Sequence, residues 1–181
     1  MAEQAADVSA ILQALEVPRA FILGSSSGGY VAQALAVDHP ELVAALVLVG
    51  APLSLRGRPA FVDEVEALTD PVDAAWVRDS LTWYPLLHEV PAWFIDDRLD
   101  DGTRLPAHVW KSILGGLCSA TPPTESGTID APTLILWGGH DHLLSLADEE
   151  ILAGRIEGSV LKIYPDAGHL VLWECPGAGG G

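Results

Sequence analysis

The feature that most constrains this chain is a short turn of glycine and serine between two apolar segments. Residues 20–23 form a continuous apolar run, which is typical of a strand buried on both faces, and the run stops at Gly24. A helical pattern follows over residues 28–37, and a second apolar run over residues 46–49 ends at Gly50. Strand, helix and strand at this spacing predict a parallel βαβ unit, so we expect an α/β fold.

The rest of the chain extends this pattern. Apolar residues recur at helical spacing over residues 3–16, and residues 133–137 and 160–164 are two further apolar runs. The parallel sheet should therefore have about four strands. Ser145, with Asp148 three residues later, predicts the start of a helix that ends near residue 156.

No strand pattern is present between residues 51 and 130, and helical segments that begin at prolines replace it. Asp70 followed by Pro71 predicts an N-cap and a first helical residue, and Pro59, Pro91 and Pro106 predict similar starts. We therefore predict a core made of residues 1–50 and 131–176, a helical insertion of residues 51–130 and a flexible tail of residues 177–181.

The composition indicates a globular and strongly acidic protein. Of the 181 residues 49% are hydrophobic, and 25 acidic residues against 9 basic ones give a formal net charge of −16. This charge disfavours nucleic acid and anionic ligands.

No apolar run reaches the roughly 18 residues of a membrane span, and the N-terminus lacks the basic region of a signal peptide. Cys118 and Cys175 are too few for a disulfide framework, so we expect free thiols and a cytoplasmic protein. Because no segment could span a membrane, we also expect no membrane partner.

The turn matches the pattern Gly-x-Ser-x-Gly, with Ser26 at its centre. A strand before it and a helix after it are the context of a nucleophile elbow, in which a strained backbone exposes the serine hydroxyl. Gly24, Gly28 and Gly29 would let strand and helix approach closely, and the N–H of Ser27 would face an oxyanion forming at Ser26. A plain turn and a phosphate-binding loop are the alternatives, but no lysine follows the glycines and the spacing is not Gly-x-Gly-x-x-Gly.

A serine nucleophile needs a base, and the base needs an acid to orient it. Asp141 follows the third predicted strand and His169 follows the fourth. Because the carboxyl ends of parallel strands meet at one edge of a sheet, we expect both side chains near Ser26. Asp166 is a second candidate for the acid, although it lies on the same loop as the histidine. The order Ser26, Asp141, His169 is one of the known chain orders of such a triad.

Four segments resemble landmarks of the α/β-hydrolase superfamily, of the esterase, lactonase, haloperoxidase-like and carbon-carbon hydrolase kind: FILGSSSGGYVAQ, ELVAALVLVGAP, APTLILWGGHDHLLS and YPDAGHLVLWECP. The resemblance runs from about residue 5 to residue 176. It implies that Ser26 is the nucleophile, Asp141 the acid and His169 the base. It also implies that Ser27 is one oxyanion donor and that residues 51–130 form a helical cap over the pocket. The implied activity is hydrolysis of a small neutral carboxylic ester or lactone through an acyl-enzyme, without an organic cofactor.

A metal site is an alternative role for Asp141, because His140 and His142 flank it. Zinc needs three or four ligands, and the sequence has no further spaced cluster of histidine and cysteine, so we expect no metal.

The sequence departs from the family pattern at both ends. It has no counterpart of the family's N-terminal strands, which usually supply a second oxyanion donor, or of the helix after the catalytic histidine. The strand at residues 20–23 should then expose an apolar edge, which proteins avoid. We therefore expect a homodimer or a swapped assembly, with a truncated chain as the other explanation. The alternative function is a catalytically weak or inactive ligand-binding protein.

Overall fold

The computed structural model describes residues 2–57, 59 and 61–175, and one parallel sheet forms its centre. The strands lie in the order β1-β2-β3-β4, and each neighbouring pair is parallel. Their bounds are β1 Ala20–Ser25, β2 Val43–Val49, β3 Thr133–Gly138 and β4 Val160–Tyr164. The predicted α/β fold with four parallel strands is therefore confirmed. The predicted tail, residues 177–181, lies outside the described residues.

The described part of the chain contains nine α-helices, which are α1 Ala2–Ala14, α2 Ser27–Asp38, α3 Val62–Glu66, α4 Ala74–Ser80, α5 Ala92–Arg104, α6 Ala107–Ser119, α7 Pro123–Ser126, α8 Leu146–Arg155 and α9 Val171–Glu174. Short 3₁₀ turns cover Pro40–Leu42 and Leu81–Trp83. As expected, the hydroxyl of Ser145 accepts the N–H of Asp148 at 3.1 Å, which caps α8. None of the described helices has the length and apolarity that a bilayer crossing requires.

One face of the sheet carries the main hydrophobic core. Helices α1, α2 and α8 pack on this side, where Leu35, Leu46, Leu48, Ile135 and Leu152 are fully buried. Burial of side chains of this size contributes about 1.5–3 kcal/mol each to folding. The βαβ unit at residues 20–49 is thus held by apolar contacts on the α2 side of the sheet.

The other face of the sheet is covered only in part. Residues near the site, among them Ala167 and Val171, pack on Val49 and Leu136. At the β1 edge, however, Phe21 is 82% exposed and Leu23 is 55% exposed. The prediction that this strand is buried on both faces is therefore wrong. Successive side chains of a strand point to opposite faces, and the helices packed on β1 cover only one of them.

The helices between β2 and β3 have an apolar cluster of their own. Its buried members are Val65, Leu68, Val72, Val77 and Ala107, and the rings of Phe61, Trp76, Trp83 and Trp110 pack against them. The division of the chain at residues 50 and 130 into core and cap remains our proposal.

One predicted helix start in this region is wrong. Asp70 and Pro71 lie outside any helix, and α4 begins only at Ala74, where the carboxylate of Asp73 accepts the N–H of Ala75 at 2.7 Å. The carboxylate of Asp70 instead accepts the N–H of Ala107 at 2.6 Å, at the first residue of α6. Asp70 thus caps a helix that begins 37 residues later in the chain.

This contact predicts a stability effect at a residue outside any helix. Asp70→Ala should lower the free energy of unfolding by about 1 kcal/mol, because the N–H of Ala107 loses its acceptor. Asp70→Asn keeps an acceptor oxygen and should change the free energy by only a few tenths of a kcal/mol. Urea denaturation followed by circular dichroism measures both variants. An equal loss in both would contradict the capping role.

Candidate active site

Ser26 occupies a strained turn between β1 and α2. Its backbone has φ 50° and ψ −126°, which places a non-glycine residue in the left-handed half of φ space. Such a conformation costs about 1–3 kcal/mol and persists only where its surroundings hold it. Here the N–H of Ser26 donates to the carbonyl of Val49 at 2.9 Å, and the N–H of Gly29 donates to the carbonyl of Ser26 at 2.8 Å. This is the backbone geometry of a nucleophile elbow.

Two of the glycines around the turn lie where a side chain has no room. A Cβ on Gly24 would be 2.6 Å from the carbonyl oxygen of Gly28, and a Cβ on Gly29 would collide with the Cβ of Ala51. A Cβ on Gly28 would meet no heavy atom within 4 Å. Close approach of β1 to α2 therefore accounts for Gly24, and close approach of α2 to Ala51, after β2, accounts for Gly29; neither contact accounts for Gly28.

Asp141 and His169 form a buried hydrogen-bonded pair. The Nδ1 of His169 and the Oδ2 of Asp141 are 2.7 Å apart, and only 4% of His169 is exposed. The other carboxylate oxygen of Asp141 accepts the N–H groups of Leu143 and Leu144 at 2.8 and 3.1 Å. Because a carboxylate accepts, Nδ1 carries the proton, and Nε2 is left as an acceptor. The imidazole therefore has the tautomer that a general base for serine requires.

Asp166, the other candidate for the acid, does not contact the imidazole. Its side chain is exposed, and its backbone carbonyl lies 2.6 Å from Nε2 of His88. His140 and His142 are also exposed. The carboxylate that pairs with His169 is thus the one at the end of β3.

Backbone contacts hold the two loops together. The N–H of Gly139 donates to the carbonyl of Tyr164 at 2.8 Å, and the N–H of His140 donates to the carbonyl of Ala167 at 2.9 Å. The imidazole of His169 lies against Gly50, where an added Cβ would be 3.1 Å from Nδ1. Gly50 directly follows Val49, whose carbonyl holds Ser26. The base therefore lies above the end of β2, beside the strand that carries the serine.

The structure thus joins two of the three triad candidates directly. Asp141 and His169 share a hydrogen bond, whereas no hydrogen bond among the described residues joins the hydroxyl of Ser26 to His169. Ser27 is the first residue of α2, so its N–H is one of the four that have no partner within the helix. The positive end of the helix dipole lies at the same place.

A buried carboxyl near the acid was not anticipated from the sequence. Glu149 on α8 is 1% exposed, and neither of its oxygens has a hydrogen-bond partner among the described residues. Burial raises its pKa to about 8, and the charges of Asp141 and Asp148 act in the same direction. The helical spacing of Glu149 with the buried Leu152 and Ile156 is the sequence signal that could have identified it.

A cavity of about 230 Å³ lies beside the base. Its lining is almost entirely apolar and includes no charged residue: Leu81, Thr82, Tyr84, Pro85, Leu86, Phe94, Ile95 and Leu170. The ring of Tyr84 is 6.0 Å from the ring of His169. Burial raises the pKa of Tyr84, with Arg98 opposing the shift, so this side of the cavity is neutral at physiological pH.

Comparison with known proteins gives one family. A family model described as "alpha/beta hydrolase fold" matches residues 1–176. The chain is 26% identical over 173 residues to the monoacylglycerol lipase abhd6-A of Xenopus laevis, covering 86% of this chain and 50% of the lipase. It is 29% identical over 187 residues to a 2-hydroxy-6-oxo-2,4-heptadienoate hydrolase of Pseudomonas putida, covering 93% of this chain and 63% of that enzyme.

Solved structures show the same fold. A hydrolase from Pseudomonas aeruginosa PA01 matches with a TM-score of 0.79 at 28% identity, covering 96% of this chain and 66% of that chain. The chain thus spans between half and two-thirds of the length of the relatives that it matches.

The close approach at Gly24 predicts that alanine destabilises the fold there, whereas alanine at Gly115, where a Cβ has open space, is tolerated. Gly24→Ala should destabilise the fold by about 1–3 kcal/mol, because its Cβ would overlap backbone atoms of α2 that cannot shift independently. Gly115→Ala on α6, where a Cβ has open space, should be neutral or stabilising by up to about 1 kcal/mol. Thermal unfolding measures both. A Gly24→Ala variant as stable as wild type would show that the contact is not tight.

The raised pKa of Glu149 predicts a pH-dependent stability. The folded chain binds this proton more tightly than the unfolded chain, so the stabilising contribution of the proton is complete below pH 4.5 and is lost as the pH rises to about 8. Glu149→Gln does not titrate. Its stability relative to wild type should therefore increase between pH 4.5 and 8, by at most about 5 kcal/mol.

Urea midpoints at pH 5, 6.5 and 8 measure this difference. Glu150→Gln is the matched control, because Glu150 is the exposed neighbour on the same helix and should show no such trend. A constant difference between Glu149→Gln and wild type across this range would mean that Glu149 titrates normally.

Proposed function

Because the chain belongs to the α/β-hydrolase family, we propose that it hydrolyses small neutral carboxylic esters or lactones through an acyl-enzyme. The observation that carries this proposal is the buried hydrogen bond between Nδ1 of His169 and Asp141, 2.7 Å long, at the sheet edge that bears Ser26. In the neutral imidazole this bond makes Nε2 the acceptor that a serine hydroxyl needs. A histidine held in this way by a buried carboxylate supports nucleophilic catalysis by a serine.

The proposed reaction follows the triad scheme. The hydroxyl of Ser26 attacks the ester carbonyl while Nε2 of His169 takes its proton, and the carboxylate of Asp141 stabilises the imidazolium. The N–H of Ser27 and the N-terminus of α2 stabilise the oxyanion. His169 then gives the proton to the leaving alcohol. Water, activated by the same base, attacks the acyl-serine and releases the acid.

The cavity beside the base supports a neutral substrate. It has no charged residue in its lining, so it offers no partner for a carboxylate. The dienoate named for the Pseudomonas putida relative is a carboxylate, whereas the acylglycerol named for the Xenopus laevis relative is a neutral ester. The net charge of −16 also slows the approach of anions. A short acyl chain or a small ring fits about 230 Å³.

One observation favours the alternative of a weak or inactive binding protein. The described residues include no hydrogen bond between Ser26 and His169, and Ser27 N–H is the one oxyanion donor that we assign. Loss of one oxyanion donor costs about 10²- to 10³-fold in rate. Hydrolysis by this chain could then be slow while the cavity still binds a ligand.

We also propose that a second copy of the chain covers the exposed face of β1, as a homodimer or a swapped assembly. Phe21 and Leu23 lie side by side on this face, and β1 ends the described sheet. An apolar edge strand of this kind tends to pair or to be covered. The cytoplasmic location predicted from the sequence remains a prediction.

The proposed activity is tested with p-nitrophenyl acetate and butyrate. Ser26→Ala should lower kcat/KM by at least about 10³-fold, because the nucleophile is lost. Ser27→Ala is the matched control, since it keeps the backbone N–H that we assign to the oxyanion hole, and it should stay within about threefold of wild type. A fluorophosphonate probe should label wild type at Ser26. Equal hydrolysis by wild type and Ser26→Ala would exclude the enzyme function, and ligand binding without labelling would favour the binding protein.

The proposed assembly is tested by sedimentation velocity. Wild type should sediment as a dimer, and Phe21→Lys should shift it to a monomer, because a charge on the buried face of the interface is costly. Ile151→Lys introduces the same charge at an exposed position of α8 and should leave the dimer intact. A wild-type monomer would overturn the proposal.

A further inference from the structure

A second buried glutamate connects the loop that bears His169 to the helical insertion. We call residues 165–170, between β4 and α9, the base loop. Glu174 is the last residue of α9 and is 7% exposed. Its Oε1 accepts the N–H of Gly168 at 3.1 Å, on the residue directly before the base. Its Oε2 accepts the N–H of Leu87 at 2.9 Å, in the segment between α4 and α5. One carboxylate therefore holds two backbone groups that are 81 residues apart in the chain.

Neighbouring residues of the insertion contact the same loop. Nε2 of His88 and the carbonyl of Asp166 are 2.6 Å apart. A Cβ on Gly168 would be 3.1 Å from the carbonyl oxygen of Pro85, so the two backbones lie close together. We call residues 84–88 the clamp segment. It contacts the base loop on both sides of Gly168.

The clamp segment also forms part of the cavity wall. Tyr84, Pro85 and Leu86 line the cavity, and Leu170, directly after the base, lines it too. Leu87 and His88, which follow these lining residues in the chain, make the hydrogen bonds to Glu174 and to the carbonyl of Asp166. The cavity wall and the loop that bears His169 are therefore joined through consecutive residues of the clamp segment.

We propose that Glu174 is a positioning residue that fixes His169 by tying the base loop to the clamp segment, so that an acyl group in the cavity sets the orientation of the base. The inference rests on the proposed function, because it assigns the base role to His169. A carboxylate suits this role since both of its oxygens accept and neither donates. Glutamine would keep one acceptor and turn an NH₂ group toward the other N–H.

The test compares Glu174→Gln with Glu150→Gln, which makes the same chemical change at an exposed site. The first readout is the downfield proton resonance of Nδ1–H in the His169–Asp141 hydrogen bond, assigned by its absence from Asp141→Asn. Glu174→Gln should shift or broaden this resonance, and Glu150→Gln should leave it unchanged. The second readout is kinetic: with p-nitrophenyl butyrate, kcat of Glu174→Gln should fall about 10- to 100-fold while KM stays within about threefold.

An unchanged resonance in folded Glu174→Gln would overturn the inference. Should this variant fail to fold, His88→Ala decides, because it removes a neighbouring contact of the clamp segment without leaving buried N–H groups unpaired. Displacement of the resonance in His88→Ala supports the inference, and an unchanged resonance overturns it. The resonance does not depend on turnover, so failure of the proposed function, seen as equal hydrolysis by wild type and Ser26→Ala, is distinguishable from failure of this inference.

Discussion

The arrangement of the site depends on the hydrogen bond between Asp141 and His169. A carboxylate whose side chain is fully buried is tolerated only when its oxygens are paired, because the desolvation of an unpaired charge costs several kcal/mol. Asp141 meets this condition with three donors, one from the imidazole and two from the backbone of its own loop. The need to pair both oxygens of Asp141 fixes the loop after β3. The hydrogen bond from His169 to the same carboxylate in turn fixes the loop after β4.

The contrast with Glu149 shows what this pairing achieves. Both carboxyl groups are buried, but Asp141 accepts three hydrogen bonds, whereas neither oxygen of Glu149 has a partner among the described residues, and burial raises the pKa of Glu149 to about 8. Burial without a hydrogen-bond partner thus favours the neutral form of Glu149.

Local patterns predicted the parts of the fold and the site that lie at strand ends. The apolar runs located all four strands, and Asp141 and His169, in the loops after β3 and β4, share a hydrogen bond, while Ser26 follows β1 in a strained turn. Long-range contacts were not predictable. Asp70 caps α6 rather than its own segment, and Glu174 joins groups from distant parts of the chain. The apolar run at β1 predicts a doubly buried strand, and the prediction fails because the sequence carries no signal of which sheet face is covered.

Ser26 and His169, the proposed nucleophile and base, lie in the turns that follow the two outer strands of the described sheet. Ser26 follows β1 and His169 follows β4, with β2 and β3 between them, and the imidazole crosses back over Gly50 to approach the serine. A slip of one residue in any strand pair would move one partner by about 3.3 Å. Such a displacement exceeds the tolerance of a hydrogen bond. In the proposed triad, the distance between the hydroxyl of Ser26 and the imidazole of His169 therefore depends on the register of all three strand pairs.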